Sequence, residues 1–149
     1  MIDAIKEGGT YSIDVAVNWL NENSYSSYSA AKAAGAGAAC ARYIRYSLEA
    51  GFGLKKDALL NKMPVPARLY GPFLEYMGFR VESTTKYIRG DIAVIQGYLG
   101  GTSDVNGIPY GHIQMYNGTQ WLSNWKQNAP FWPGRGYSDN QPAFQIYRW

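Results

Sequence analysis

Residues 40–51 read CARYIRYSLEAG, whereas residues 91–97 and 112–117 read DIAVIQG and HIQMYN. In the first stretch Cys40, Ile44 and Leu48 recur at i, i+4 and i+8, one face of an α-helix, and Gly51 and Gly53 supply its stop. In the other two, apolar and other residues follow a period of two, as in strands. Working outward, Ile13, Ala16, Val17 and Leu20 mark an earlier helix with Ser12 as its N-cap. The small-residue run AAKAAGAGAA, Ala30 to Ala39, reads as loop or frayed helix, because Gly35 and Gly37 oppose a continuous helix. A further helical segment over Ala67 to Met77 turns Leu69, Phe73, Leu74 and Met77 inward. Pro72 restricts it to its latter part, and Gly78 ends it. FRVEST, TQWLSNW and the C-terminal AFQIYRW complete a set of strands. Helices first and an antiparallel sheet second give an α+β architecture. No internal repeat or linker is visible, so residues 1–149 are expected to form one domain.

Composition limits what such a domain does. A chain of 149 residues buries roughly 70% of its unfolded surface and needs no staples. With 46% hydrophobic and 17% charged residues it is not a disordered chain. Its net charge of +3, from 14 basic and 11 acidic residues, is scattered and lacks the clustered basic load of a nucleic-acid binder. One Cys excludes a disulfide framework and a Cys-rich zinc site, and one His excludes the two- and three-His metal centres. No apolar run approaches 18 residues, and MIDAIKEGGTYSIDVAV lacks the basic start and apolar core of a signal peptide. The expectation is a monomer made in the cytoplasm, without cofactor, metal, nucleic acid or membrane as partner.

The single Cys and the single His carry the chemistry. Cys40 sits where a loop becomes a helix, where backbone N–H groups and the helix dipole favour a thiolate and an adjacent oxyanion. The competing reading of Cys40 is a small buried apolar residue. His112 opens a strand on which His112, Gln114 and Tyr116 share one face and Ile113 and Met115 the other. It reads either as a structural His or as the base of a Cys/His pair. A third group to hold the imidazole would come from the next strand, and the hairpin register decides which. A two-residue Asn117-Gly118 turn puts Ser123 opposite His112. A three-residue loop puts Asn124 there and leaves Trp121, Ser123 and Trp125 on the apolar face of Ile113 and Met115, so burial favours Asn124.

Taken together, CARYIRYSLEAG, YGPFLEYMGFRV, GDIAVIQG and YGHIQMYNGTQWLSNWKQ resemble, in order, the bacterial cell-wall amidases of the NlpC/P60 and CHAP type. The Gly-His at the start of a strand is similar to that family's histidine motif. W-x-S-N resembles its third-residue strand, where the family has His, Asp, Asn or Gln. AVNWLN near the start also fits, and the resemblance covers roughly residues 13 to 127. Within the superfamily the chain looks most like the amidase effectors of type VI secretion, in particular their second described group. The resemblance implies a papain-like fold and cofactor-free hydrolysis of an amide in peptidoglycan stem peptides or cross-links. It implies Cys40 as nucleophile, His112 as base and Asn124 as the orienting residue. It also implies action in the periplasm of a target cell after export by a non-signal route, a cognate immunity protein, and contacts with a secretion apparatus. The chain departs from the pattern before the Cys, where Ala36 to Ala39 replace the usual Ser and Gly. Rival readings are a phage lysis or tail hydrolase and an inactive cell-wall binding module. Of the remaining features, Asp91 reads as a turn residue. Arg42, Arg45 and Glu49 read as a solvated helix face, and Trp132 and Pro133 as an exposed rim.

Overall fold

The computed structural model describes residues 10–149 except position 65. The expectation for the start of the chain rests partly on residues 1–9, which lie outside the described residues. The elements are α1 (Ile13–Asn23), α2 (Tyr28–Ala33), α3 (Cys40–Gly51), a 3-10 turn (Ala67–Leu69), α4 (Gly71–Met77), β1 (Arg80–Glu82), β2 (Ile92–Ile95), β3 (His112–Tyr116), β4 (Trp121–Leu122), α5 (Arg135–Asn140) and β5 (Phe144–Arg148). The strands form one antiparallel sheet in the order β1-β5-β2-β3-β4. The expected α+β architecture is found, with α1 to α4 ahead of the strands and α5 between β4 and β5.

Local signals explain most of the boundaries. Ser12 caps α1 by accepting from the Val15 N–H at 3.1 Å, an interaction that contributes about 1 kcal/mol at a helix start. Ser27 does the same for α2 through Ala30. Thus part of the alanine-rich run is a capped helix of six residues, which ends at Ala34 before Gly35. Pro72 sits in the first turn of α4 and Gly78, left-handed at φ 114°, closes it.

The sheet is covered on both faces. Ala16, Val17 and Leu20 of α1 and Ile44 and Leu48 of α3 pack with Ile92, Val94, Ile113, Met115 and Leu122 in the main core. Ser47 ties the two helices by donating to the Ala16 carbonyl at 2.9 Å. On the other face Ala93, Ile95, Trp121 and Ile146 form a second cluster, against which Tyr87, Tyr116, Phe131, Trp132 and Tyr137 pack. β2, central in the sheet, is therefore buried along its whole length, as an uninterrupted apolar run requires.

One group of charges differs from its sequence reading, and Asp91, which closes the turn from Ile88 as that reading has it, is buried as well. Arg45 and Glu49 are not on a solvated face: they are 5% and 1% exposed. Glu49 accepts from Arg45 at 3.0 Å and from the backbone of Asp57 and Leu59. It thereby anchors the segment after α3 to the helix. Arg42 alone of these three is exposed. Asp91 is likewise fully buried. It holds Arg148 with two contacts of 2.8 Å and accepts from the Ile88 N–H, joining the start of β2 to the end of β5. Among the described residues no helix is long and apolar enough to cross a membrane.

Candidate active site

Cys40 is the first residue of α3. Ala39, before it, has no side chain to cap the helix, so the first-turn N–H groups are not taken up by a capping side chain. The segment leading into Cys40 is fixed by Asn124, whose amide donates to the Ala36 carbonyl at 2.6 Å. Asn124 is in turn held by the Ser123 hydroxyl at 3.1 Å, and its carbonyl accepts from the Tyr25 N–H. The thiol does not have the depressed pKa expected of a helix start. Burial pushes it up, and the backbone N–H groups of Ile113, Ala41 and Cys40 itself only partly oppose that rise. Resting Cys40 is therefore a neutral thiol.

His112 begins β3, after Gly111. Gly111 has φ 74°, and a side chain there would collide with the Ile95 carbonyl, so only glycine carries the chain into the strand along this path. The imidazole is 7% exposed. Burial lowers its pKa from 6.5 to about 4, with the bond to Gln127 acting in the opposite direction. That bond joins His112 Nε2 to Gln127 Oε1 at 3.0 Å. An Nε2–H donating to this oxygen leaves Nδ1 as the basic lone pair. The ring packs tilted against Tyr137, with centroids 5.9 Å apart.

The partner of His112 is thus Gln127, and neither Asn124 nor Ser123 takes that place. Asn124 and Ser123 sit on the side of Cys40, holding the loop before it. Both expected hairpin registers are also displaced. Met115 pairs with Leu122 and Tyr116 with Trp121, across a four-residue loop built on Asn117, which accepts from the backbone of Thr119 and Gln120. A one-residue slip exchanges faces. Leu122 joins the main core and Trp121 the second cluster. Burial on a single apolar face would favour Asn124 opposite His112, whereas the sheet has two apolar faces. After Leu122 the chain reverses over Ser123 to Trp125, and the Gln127 N–H returns to the Trp121 carbonyl at 3.0 Å. This reversal breaks strand alternation, so periodicity could not point to Gln127. The one available signal was that Gln is among the residues the resembled family uses as its third residue.

Cys40 and His112 open into one cavity of roughly 510 Å³. Gly37, Ala38 and Asn124, Tyr98, Pro109 and Tyr110, and Trp125, Pro133, Arg135 and Tyr137 line it. Of the expected rim residues Pro133 lines the cavity, while Trp132 packs into the second cluster between Phe131 and Phe144. The helix that follows them, α5, was missed in the sequence. Its Gly136 packs directly on the Tyr98 ring. Arg68 pins the Tyr98–Tyr110 segment by donating to the Pro109 carbonyl at 2.8 Å and pairing with Asp104 at 3.3 Å. The six glycines that line the cavity leave backbone accessible to an extended ligand, and Arg135 is the lining residue with a formal charge. Among the described residues no group of three or more His, Cys, Asp or Glu is placed to hold a metal ion.

A thiol and a buried, oriented imidazole at the edge of a peptide-sized cavity are the parts of a nucleophilic hydrolase. No family model and no curated protein matches the chain. Solved structures do, and they are bacterial effectors of type VI secretion. One is the native effector–immunity complex Tae3–Tai3 from Ralstonia pickettii. It matches at a TM-score of 0.70 and 28% identity over 93% of this chain and 99% of that one. The selenomethionine form of the same complex matches at 0.66 and 28% identity over 89% and 98%. The sequence motifs had singled out the second described group of these effectors; both matched structures are of Tae3.

Proposed function

We propose that this protein is a one-domain cysteine hydrolase that cleaves an amide bond in peptidoglycan stem peptides or cross-links, and that it acts as an antibacterial effector of type VI secretion. The observation that carries the reading is the meeting of Cys40, at a helix start, and His112, held through Nε2 by Gln127, in one cavity. The likeness to Tae3 over nearly the whole of both chains supports the effector role. The NlpC/P60-type motifs support the amide chemistry.

In this mechanism the Cys40 thiol proton passes to His112 Nδ1 as sulfur bonds to the substrate carbonyl carbon. Backbone N–H groups at the start of α3 receive the oxyanion. The C–N bond then breaks and the amine leaves with the proton from His112. Water, deprotonated by His112, opens the thioester and restores the thiol. Because both resting groups are neutral, the imidazole acts as a general base during attack rather than as half of a standing ion pair. Asn124 contributes by holding the loop that precedes the nucleophile.

Digestion of purified Gram-negative peptidoglycan, with mass analysis of the fragments, tests the activity and names the bond. Cys40→Ala and His112→Ala should each retain the fold and release no fragments; more than a few per cent of native release from Cys40→Ala would eliminate the nucleophile. Directed to the periplasm of a Gram-negative host the protein should lyse the cells, and kept in the cytoplasm it should be tolerated. The matched structures are effector–immunity complexes, which supports a cognate immunity protein here. Its binding over the cavity should protect Cys40 from alkylation.

A further inference from the structure

A glutamine beside a histidine can present either end of its amide, and the choice decides the chemistry of the ring. Oε1 facing Nε2 demands a proton on Nε2 and leaves Nδ1 bare. The amide NH₂ facing Nε2 demands a lone pair there and puts the proton on Nδ1, where it blocks proton transfer from a thiol. Something must therefore fix the polarity of Gln127.

The hydrogen bonds trace it to the backbone. Gln127 Nε2 donates to Gln114 Oε1 at 2.8 Å. Gln114 Nε2 donates to the Phe131 carbonyl at 2.9 Å. A carbonyl accepts and never donates, so Gln114 must turn its NH₂ to Phe131 and its oxygen to Gln127. Gln127 must then turn its NH₂ to Gln114 and its oxygen to His112. The chain runs one way: Phe131 carbonyl, Gln114, Gln127, His112 Nε2–H, free Nδ1; Gln127 Nε2 also reaches the Phe131 carbonyl directly, but only at 3.5 Å, so the 2.8 Å bond to Gln114 is the stronger constraint. All three side chains are excluded from solvent, at 0%, 1% and 7% exposure, so water cannot substitute for a misdirected partner. Gln114 lies two residues beyond His112 on β3, on the same face, which is what lets one amide bridge to the next.

We propose that Gln114 is a positioning residue that sets the tautomer of His112 by fixing the polarity of the Gln127 amide against the Phe131 carbonyl. This rests on the reading of His112 as the base. The reader of the state is built in, because His112 is the one histidine of the chain. In nitrogen-15 NMR of the labelled protein its ring signals need no assignment among rivals. The native spectrum should show a protonated Nε2 and a bare Nδ1. Gln114→Met, similar in length but unable to accept or donate as an amide does, should give a mixture of tautomers. It should also lower kcat on peptidoglycan fragments roughly 10- to 100-fold with KM little changed, the scale on which outer hydrogen-bond partners act. Gln114→Glu, kept as the neutral acid by burial, donates its O–H to the Phe131 carbonyl and keeps an acceptor toward Gln127, so it should restore the native tautomer and most of the turnover. A native ring protonated on Nδ1 overturns the proposal, as does a folded Gln114→Met protein with the native tautomer. If Gln114→Met does not fold, the native spectrum and Gln114→Glu decide. A native Nε2–H ring that becomes mixed in Gln114→Met, in a protein that cleaves no peptidoglycan, sustains the lock and rejects the hydrolase reading.

Discussion

The burial of His112 makes folding stability depend on pH in a window that one substitution removes. In the unfolded chain the imidazole titrates near 6.5; in the folded protein its pKa is lowered to about 4. Between those values the unfolded state binds the proton and the folded state does not. Stability therefore rises with pH across the window, and it falls as the solution is acidified from 6.5 toward 4. At pH 4.5 the ratio of binding polynomials is on the order of 10² against about 1 at pH 7, which corresponds to about 2–3 kcal/mol lost relative to pH 7. Other groups also titrate. Their contributions cancel when the native protein is compared with His112→Asn, as does any constant cost of the substitution. Urea unfolding of both proteins at pH 7 and pH 4.5 should show the native protein losing about 2–3 kcal/mol more than the variant. Equal losses, within about 0.5 kcal/mol, would refute the argument that burial keeps the imidazole neutral. Titration of the single His by NMR checks the same quantity directly, and a midpoint at or above 6.5 would refute it too.

The other expectations follow from the same contacts. Cys40, with its thiol pKa raised by burial, should react with iodoacetamide more slowly than free cysteine near pH 7, as rates of stopped alkylation will show; a faster reaction would mean that a thiolate is already present. Gln127→Ala should reduce turnover about 10- to 100-fold, with the fold intact by circular dichroism, because the ring loses its hydrogen-bond partner and its fixed tautomer. Asn124→Ala should cost about 1–3 kcal/mol in urea unfolding, since it orphans the buried Ala36 carbonyl and Ser123 hydroxyl. It should speed amide exchange in residues 34–39 while leaving the His112 tautomer unchanged. Glu49→Ala should cost roughly 3–5 kcal/mol by removing the buried partner of Arg45 and the acceptor of the Asp57 and Leu59 N–H groups, with half-exposed Asp57 left as the ion-pair partner of Arg45. Asp57→Asn, at a half-exposed partner of the same guanidinium, should cost less than about 1 kcal/mol.

The candidate site was legible where its parts obey local rules. Cys40 is marked by the change from small residues to a periodic apolar face, and α3 does begin there. His112 is marked by the glycine before it and the alternation after it, and β3 begins at that residue. The pairing of these two with a third residue was not legible. The hairpin between β3 and β4 is set by one Asn side chain and by two competing apolar surfaces, and its register moved every residue of β4 by one.

The sequence by itself determined the order and type of most elements, α2 and α5 excepted, since caps, glycines and hydrophobic period act within a turn or a strand pair. It also marked the two reactive side chains, because each is unique in the chain. Tertiary structure alone decided the environment of each. The second apolar cluster, built from Tyr87, Phe131 and Trp132 far along the chain, drew Trp121 to its face and left Leu122 to the core. The reversal after Leu122 brought Gln127 to His112 and left Asn124 to hold Ala36. Burial turned the thiol pKa upward where the helix start alone would lower it, and it enclosed Arg45 with Glu49 where helical spacing showed only an exposed pair. Each outcome depends on desolvation and on partners distant in sequence, which no local pattern encodes.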